Sequence, residues 1–137
     1  MPFFLDTNVL VYAAVRRPSD DRKRGIARRL IAESEFGISA QVLQECYVTV
    51  TGRALAGPSQ DELAAWTDKL FQVPIVPIDI ALVADAIAIS RRFLISYWDA
   101  AIIAAAERLG SNVVLTENLN HGQVYGSVRV ENPFHGD

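Results

Sequence analysis

At 137 residues, half of them hydrophobic, the chain is long enough for one sizeable core and too short for two ordinary domains, so one domain spanning 1–137 is expected. A formal net charge of -3 and an isoelectric point of about 5.3 exclude a protein that coats polyanions through bulk positive charge. With 21% charged residues and no polar low-complexity tract, a disordered chain is excluded as well.

The first element expected is a strand over about 3–6, an apolar run stopped by Asp6, followed by a helix near 8–15. Pro18-Ser19-Asp20-Asp21 supplies a turn and a cap for a second helix, in which Ile26, Ala27, Leu30, Ile31 and Ser34 share one stripe. Lys23, Arg24 and Arg28 fall off that stripe, which places the basic cluster on an exposed flank. Seven of the thirteen basic residues lie between Arg16 and Arg29, and a solvated helix face and a polyanion contact both account for them.

Glu35-Phe36-Gly37-Ile38-Ser39 reads as a break and a very short strand, with Ser39 capping a third helix from Ala40 to about Val50. A turn from Thr51 to Pro58 precedes Ser59-Gln60-Asp61-Glu62, a capping-box pattern that starts a fourth helix running to about Phe71. Two prolines limit Val73–Pro77 to a short or edge strand.

The segment 80–92 reads as helix with Leu82, Val83, Ala86 and Ile87 on one face, and Ser96 caps another over 97–109 that stops at Gly110. Ile80–Ile89 and Ala100–Ala106 are very apolar, but Asp85, Asp99 and Glu107 bound them short of a membrane span, so both read as buried helices. Val113–Leu115 is a buried strand, 121–126 a glycine-bounded loop, and Val128–Val130 a weaker strand. Short apolar strands alternating with helices predict a three-layer α/β/α sandwich around a mainly parallel sheet. Cys46 has no partner for an internal disulfide and no charged leader precedes a signal-like run, so the cytoplasm is the expected compartment.

Four acids stand out against this frame. Asp6 and Glu117 each follow a strand directly, where open α/β sheets place their ligand crevice. Glu45 flanks the buried stripe of the third helix, and Asp99 lies in the first turn of its helix, where the helix dipole alone would also favour it. Brought together, these carboxylates would repel one another unless a cation joined them, and oxygen ligands suit Mg²⁺ or Mn²⁺.

Asp6-Thr7-Asn8 after a strand, Ser39 to Glu45 on the third helix, Tyr97-Trp98-Asp99-Ala100 opening a helix and Leu115-Thr116-Glu117-Asn118 after a strand resemble, in that order, a PIN domain. The resemblance runs from Phe3 to Phe134, and in length the chain is most similar to the VapC-type toxins of bacterial toxin–antitoxin pairs. It implies a Mg²⁺- or Mn²⁺-dependent ribonuclease with Asp6, Glu45 and Asp99 as catalytic, metal-site acids. The family has an Asp where this chain has Asn118, so Glu117 from the neighbouring position, or Asn118 itself, would fill the fourth place.

Thr7, Asn8, Thr116 and Asn118 would orient these groups. Arg16, Arg17 and Arg24 are candidates for contacting RNA. The family further implies a cognate antitoxin and a toxin homodimer, with Val9, Tyr12, Leu55, Trp66, Leu70 and Phe71 open to either core or interface roles.

Two other classes stay open. A phosphatase or phosphotransferase using Asp6 as nucleophile would want a second Asp where Asn8 stands, and a protein-binding module would use the acids only as helix caps. Neither His121 nor His135 has a partner at metal-ligand spacing.

Overall fold

The computed structural model describes residues 2–52 and 57–136. Leu55 and half of the turn expected over 51–58, residues 53–56, therefore lie outside the described residues. Among the described residues, six strands and six α-helices follow in the order β1 (Phe3–Leu5), α1 (Thr7–Ala14), α2 (Asp21–Glu33), β2 (Phe36–Ser39), α3 (Ala40–Thr51), α4 (Gln60–Leu70), β3 (Ile75–Val76), α5 (Ile80–Phe93), α6 (Tyr97–Leu109), β4 (Val113–Leu115), β5 (Val124–Tyr125) and β6 (Val128–Glu131). The sheet order is β3-β2-β1-β4-β6-β5, parallel throughout except for the β5–β6 pair.

From β1 the chain steps outward to β2 and then β3, and then returns across the sheet to β4 on the other side of β1. Right-handed crossovers in opposite directions put α1–α4 on one face and α5–α6 on the other, which makes the α/β/α sandwich. The reversal between β1 and β4 is the topological switch point, where strand ends splay and leave a crevice. Register aligns Phe4 with Val114 and Leu5 with Leu115, so Asp6 and Thr116 emerge side by side at that crevice.

Helix starts follow local chemistry. Asp6, Ser39, Ser59, Asp79 and Ser96 each accept a backbone N–H of the helix they precede. Ser59 and Glu62 form the full capping box, and Gly110 at φ +85° ends α6 in the left-handed region that glycine favours. Residues 100–106 of α6 are all buried, and α6 lies across the sheet between it and α5.

Several expectations need correction. The cap expected before α2 is a 3₁₀ turn over Pro18–Asp20, and Asp20 makes no side-chain capping bond. Lys23 and Arg24 are half-buried and not on an open flank. α5 is not a buried helix: it buries Leu82 and Ala86 but leaves Ile80 and Ile87 exposed, because only its inner side meets α6. Val124–Tyr125, expected in a loop, forms a hairpin with β6 through Gly126 at φ +62°. Val9 and Leu70 are core, Tyr12 and Trp66 half-buried, and Phe71 is exposed.

Candidate functional site

Asp6 is only 6% exposed although it carries a carboxylate. Its position follows from the fold: it is at once the residue after β1 and the N-cap of α1, so its Oδ1 accepts the Thr7 backbone N–H at 2.7 Å. Oδ2 accepts the Thr116 hydroxyl from the adjoining strand end at 2.8 Å. Burial pushes the Asp6 pKa above its ordinary 3.8, the Thr7 and Thr116 bonds pull it back, and the charges of Glu45 and Asp99 push it up further.

Thr116 is fully buried, and its oxygen also accepts the Asn8 side-chain amide at 3.0 Å and the Asn118 backbone N–H at 3.1 Å. Asn8 in turn accepts the Glu117 N–H through Oδ1 at 3.4 Å. Thr7 sends its hydroxyl the other way, to Glu45 Oε1 at 3.0 Å, and Gln41 donates to that same oxygen at 3.3 Å from one turn earlier on α3. Asp99 stands in the first turn of α6, its N–H bonded to the Ser96 cap, and its charge reaches both Asp6 and Tyr125.

Glu45 and Asp99 thus both act electrostatically on Asp6, and Thr7, Asn8 and Thr116 brace Asp6 and Glu45. A cleft of about 390 Å³ opens beside them, lined by Thr7, Asn8, Arg17, Glu45, Glu117 and Asn118 among others. Glu117 faces this cleft, but its carboxylate is bonded to Lys23 and Tyr12. Arg16 and Arg24 lie apart from it. They line a neighbouring cavity of about 430 Å³ between α1, α2 and α4, together with Arg28, Arg29, Lys69 and Trp66. Arg24 Nε is buried there without a hydrogen-bond partner among the described residues, and burial together with Arg28 and Arg16 lowers the guanidinium pKa.

Three contributors escaped the sequence reading. Lys23 and Tyr12 reach Glu117 from 94 and 105 residues away, a pairing no local pattern announces. Tyr125 is buried near Asp99, and its hydroxyl pKa is raised by burial and then by that acid. The alternation Val124, Tyr125, then Val128, Val130 around Gly126-Ser127 was the available hairpin signal.

The donors fit a hard divalent cation: Asp6, Glu45 and Asp99 offer only oxygen, and ionisation of Asp6 is opposed by its burial and by two like charges, an opposition that a cation relieves. As the side chains stand, no three Asp, Glu, His or Cys groups among the described residues close around one point. The match is thus one of donor type and charge.

A protein-family model for the PIN domain matches residues 3–126. The chain belongs to the PIN domain family. Among solved structures, this PIN domain resembles a toxin–antitoxin complex from Klebsiella pneumoniae (TM-score 0.69, 16% identity, covering 96% of this chain and 97% of that one). It also resembles VapBC2 from Rickettsia felis bound to a promoter DNA fragment (0.64, 19%, 96% and 98%). A third likeness is to Mycobacterium tuberculosis VapC20, a sarcin-ricin loop cleaving toxin (0.64, 21%, 85% and 91%). A search of curated protein sequences found no match. Among the described residues, no helix is long and apolar enough to cross a membrane.

Proposed function

We propose that this PIN domain is a ribonuclease that hydrolyses RNA phosphodiester bonds with Mg²⁺ or Mn²⁺, acting in the cytoplasm as the toxin of a toxin–antitoxin pair. The observation that carries the proposal is Asp6, a buried carboxylate at the β1–β4 switch point whose pKa is raised by its burial and by Glu45 and Asp99. Such an arrangement favours uptake of a cation. The resemblance to VapBC2, to VapC20 and to a third toxin–antitoxin complex supports the toxin assignment.

In this proposal Asp6, Glu45 and Asp99 hold the metal, and Glu117 is the fourth acid of the crevice. When bound, a divalent cation supplies an activated water and stabilises charge on the leaving oxygen during in-line displacement. The chain's own residues fix the acids before that step. Thr116 and the Thr7 N–H lock the Asp6 carboxylate, the Thr7 hydroxyl and Gln41 aim Glu45, and Asn8 ties the β4 end to α1. Arg17 on the cleft, with Arg16 and Arg24 lining the neighbouring cavity, draws the phosphate backbone towards an otherwise repulsive acidic pocket.

A cognate antitoxin is the proposed protein partner, and a homodimer the proposed assembly. Ile80 and Ile87, two turns apart on α5, and Leu94 just past its end are all exposed apolar side chains, which supports self-association at this surface.

The deciding assay incubates the protein with mixed structured RNAs and Mg²⁺ or Mn²⁺, beside Asp6→Asn, Asp99→Asn and a chelator control. Each substitution and chelation should abolish cleavage; cleavage that survives them refutes the proposal. A phosphatase using Asp6 would instead turn over a simple phosphate ester through an acid-stable adduct, and a binding module would do neither.

A further inference from the structure

Glu117 shares the crevice with Asp6, yet its charge is already met. Lys23 extends from α2, and its Nζ donates to Glu117 Oε2 at 2.8 Å and to the Tyr12 hydroxyl oxygen at 3.2 Å. The Tyr12 hydroxyl donates to Glu117 Oε1, so both carboxylate oxygens have a donor. The ammonium also lies 5.0 Å from the centroid of the Tyr12 ring and 5.7 Å from that of Phe134. Those two rings meet edge to face at 5.1 Å.

An exposed ion pair whose partners swing freely contributes little and carries no structural message. This pair is confined. The Lys23 and Glu117 side chains are 34% and 22% exposed, the ammonium is flanked by two aromatic faces, and Phe134 is buried. The Glu117 backbone is fixed as well, because its N–H donates to Asn8. Recruiting Glu117 to a metal would require breaking these bonds and leaving an ammonium facing the incoming cation. Asn118 offers no replacement charge, and its N–H is committed to Thr116.

We infer that Lys23 is the resident cation of the fourth acid position: it neutralises Glu117 and holds it against Tyr12 and Phe134, leaving Asp6, Glu45 and Asp99 as the acids that take the metal. The inference rests on the metal-nuclease proposal and assigns roles within it. Lys23 and Tyr12 are positioning residues, and Glu117 is a braced carboxylate facing the cleft. The C-terminal Asn132-Pro133-Phe134 segment thereby supports the site from outside it, since Phe134 packs on Tyr12 and its carbonyl accepts Arg22.

Mn²⁺ binding to the full chain, measured calorimetrically and as a metal-induced rise in unfolding temperature, tests this without recourse to RNA cleavage. Asp99→Asn should weaken binding by about tenfold or more, whereas Glu117→Gln should stay within about threefold of the parent. Lys23→Met releases Glu117 and should tighten Mn²⁺ binding by about fivefold or more, the size of coupling expected between charged groups in contact. Lys23→Arg should restore parent behaviour, and Arg17→Gln, which removes an equal charge from the cleft that Glu117 lines, should change affinity by less than about twofold because exposed charges are screened. Should Lys23→Met not fold, Lys23→Gln carries the same expectation.

Loss of Mn²⁺ binding in Glu117→Gln to match Asp99→Asn would overturn the inference and leave the nuclease proposal standing. Parent-like affinity in Lys23→Met, or an equal gain in Arg17→Gln, would do the same. A parent protein that binds no Mn²⁺ at millimolar concentration would overturn both.

Discussion

Thr116→Val is the most incisive perturbation of the site, because it keeps the shape of a fully buried side chain and removes only its hydrogen bonding. Three bonds go with the hydroxyl: the one it donates to Asp6 Oδ2 and the two it accepts from Asn8 and Asn118. A bond to a charged group contributes about 1.5–3 kcal/mol and each neutral one about 0.5–1.5 kcal/mol, giving about 2.5–6 kcal/mol for independent bonds. Asn118 is exposed and Asn8 half-buried, so both can turn to water; the expected loss at neutral pH is about 2–4 kcal/mol, mostly from the uncompensated Asp6 carboxylate.

That loss should depend on pH with a definite sign. Asp6 has a folded-state pKa above its ordinary 3.8, and the Thr116 bond is one of the causes that lower it, so removing the hydroxyl raises it further. Between 3.8 and the folded pKa the native state holds a proton the unfolded chain has released, and stability falls as pH rises through that window. The variant's window extends higher, so its deficit grows with pH and shrinks as pH falls towards 3.8. Urea unfolding of parent, Thr116→Val and Thr116→Ser at pH 7 and near pH 4 reads this directly; the serine variant keeps the hydroxyl and should lose only about 1 kcal/mol. A deficit below about 1 kcal/mol for Thr116→Val at pH 7, or one that is unchanged by pH, would refute the claim that this hydroxyl sustains a buried charge.

Gly37→Ala should lower stability by about 1–3 kcal/mol, seen as a fall in Tm, because the added Cβ would sit 2.6 Å from Leu109 Cδ2 and 3.1 Å from the Pro74 carbonyl oxygen. Leu109 can rotate, but Pro74 is fixed by the Ile38 N–H it accepts, and an unchanged melt would show that β2 and the segment leading into β3 yield more than this geometry allows. Ser59→Ala, which removes one half of the α4 capping box, should reduce stability by about 1 kcal/mol and speed amide exchange in the first turn of α4; unchanged exchange would count against the cap. Burial pushes the Cys46 thiol up to about 12, so it should resist thiol reagents at pH 8 until denaturant is added, and rapid labelling of the native protein would contradict its placement in the core.

What the sequence displayed, and what it hid, separates by range. Ser39, Ser59 and Ser96 act within three residues of themselves, so their caps and the helices they start could be read from the chain. Asp6 was legible for the same reason: an apolar run, an acid and a helix are contiguous. The α5 face was misjudged because the helix carries isoleucine on both sides, and periodicity cannot say which side meets α6. β5 was missed because two residues have no period, and only pairing with β6 makes them a strand. The partnership of Lys23 with Glu117 depends on α2 lying over α1 while β4 lies beside β1, a coincidence of tertiary placement that leaves no trace along the sequence.

Both margins of the sheet are two residues long. β3 is hemmed by Pro74 and Pro77, and β5 is closed back onto β6 by Gly126. Short edges next to proline present few unpaired backbone groups to another chain. Strand addition is therefore a poor route to self-association, and crowded copies of this protein have to meet through the side chains of their helices. Stickiness is thus under the control of a few surface residues, such as Ile80, Ile87 and Leu94, and single polar replacements there can alter solubility while leaving the sheet and the acids untouched.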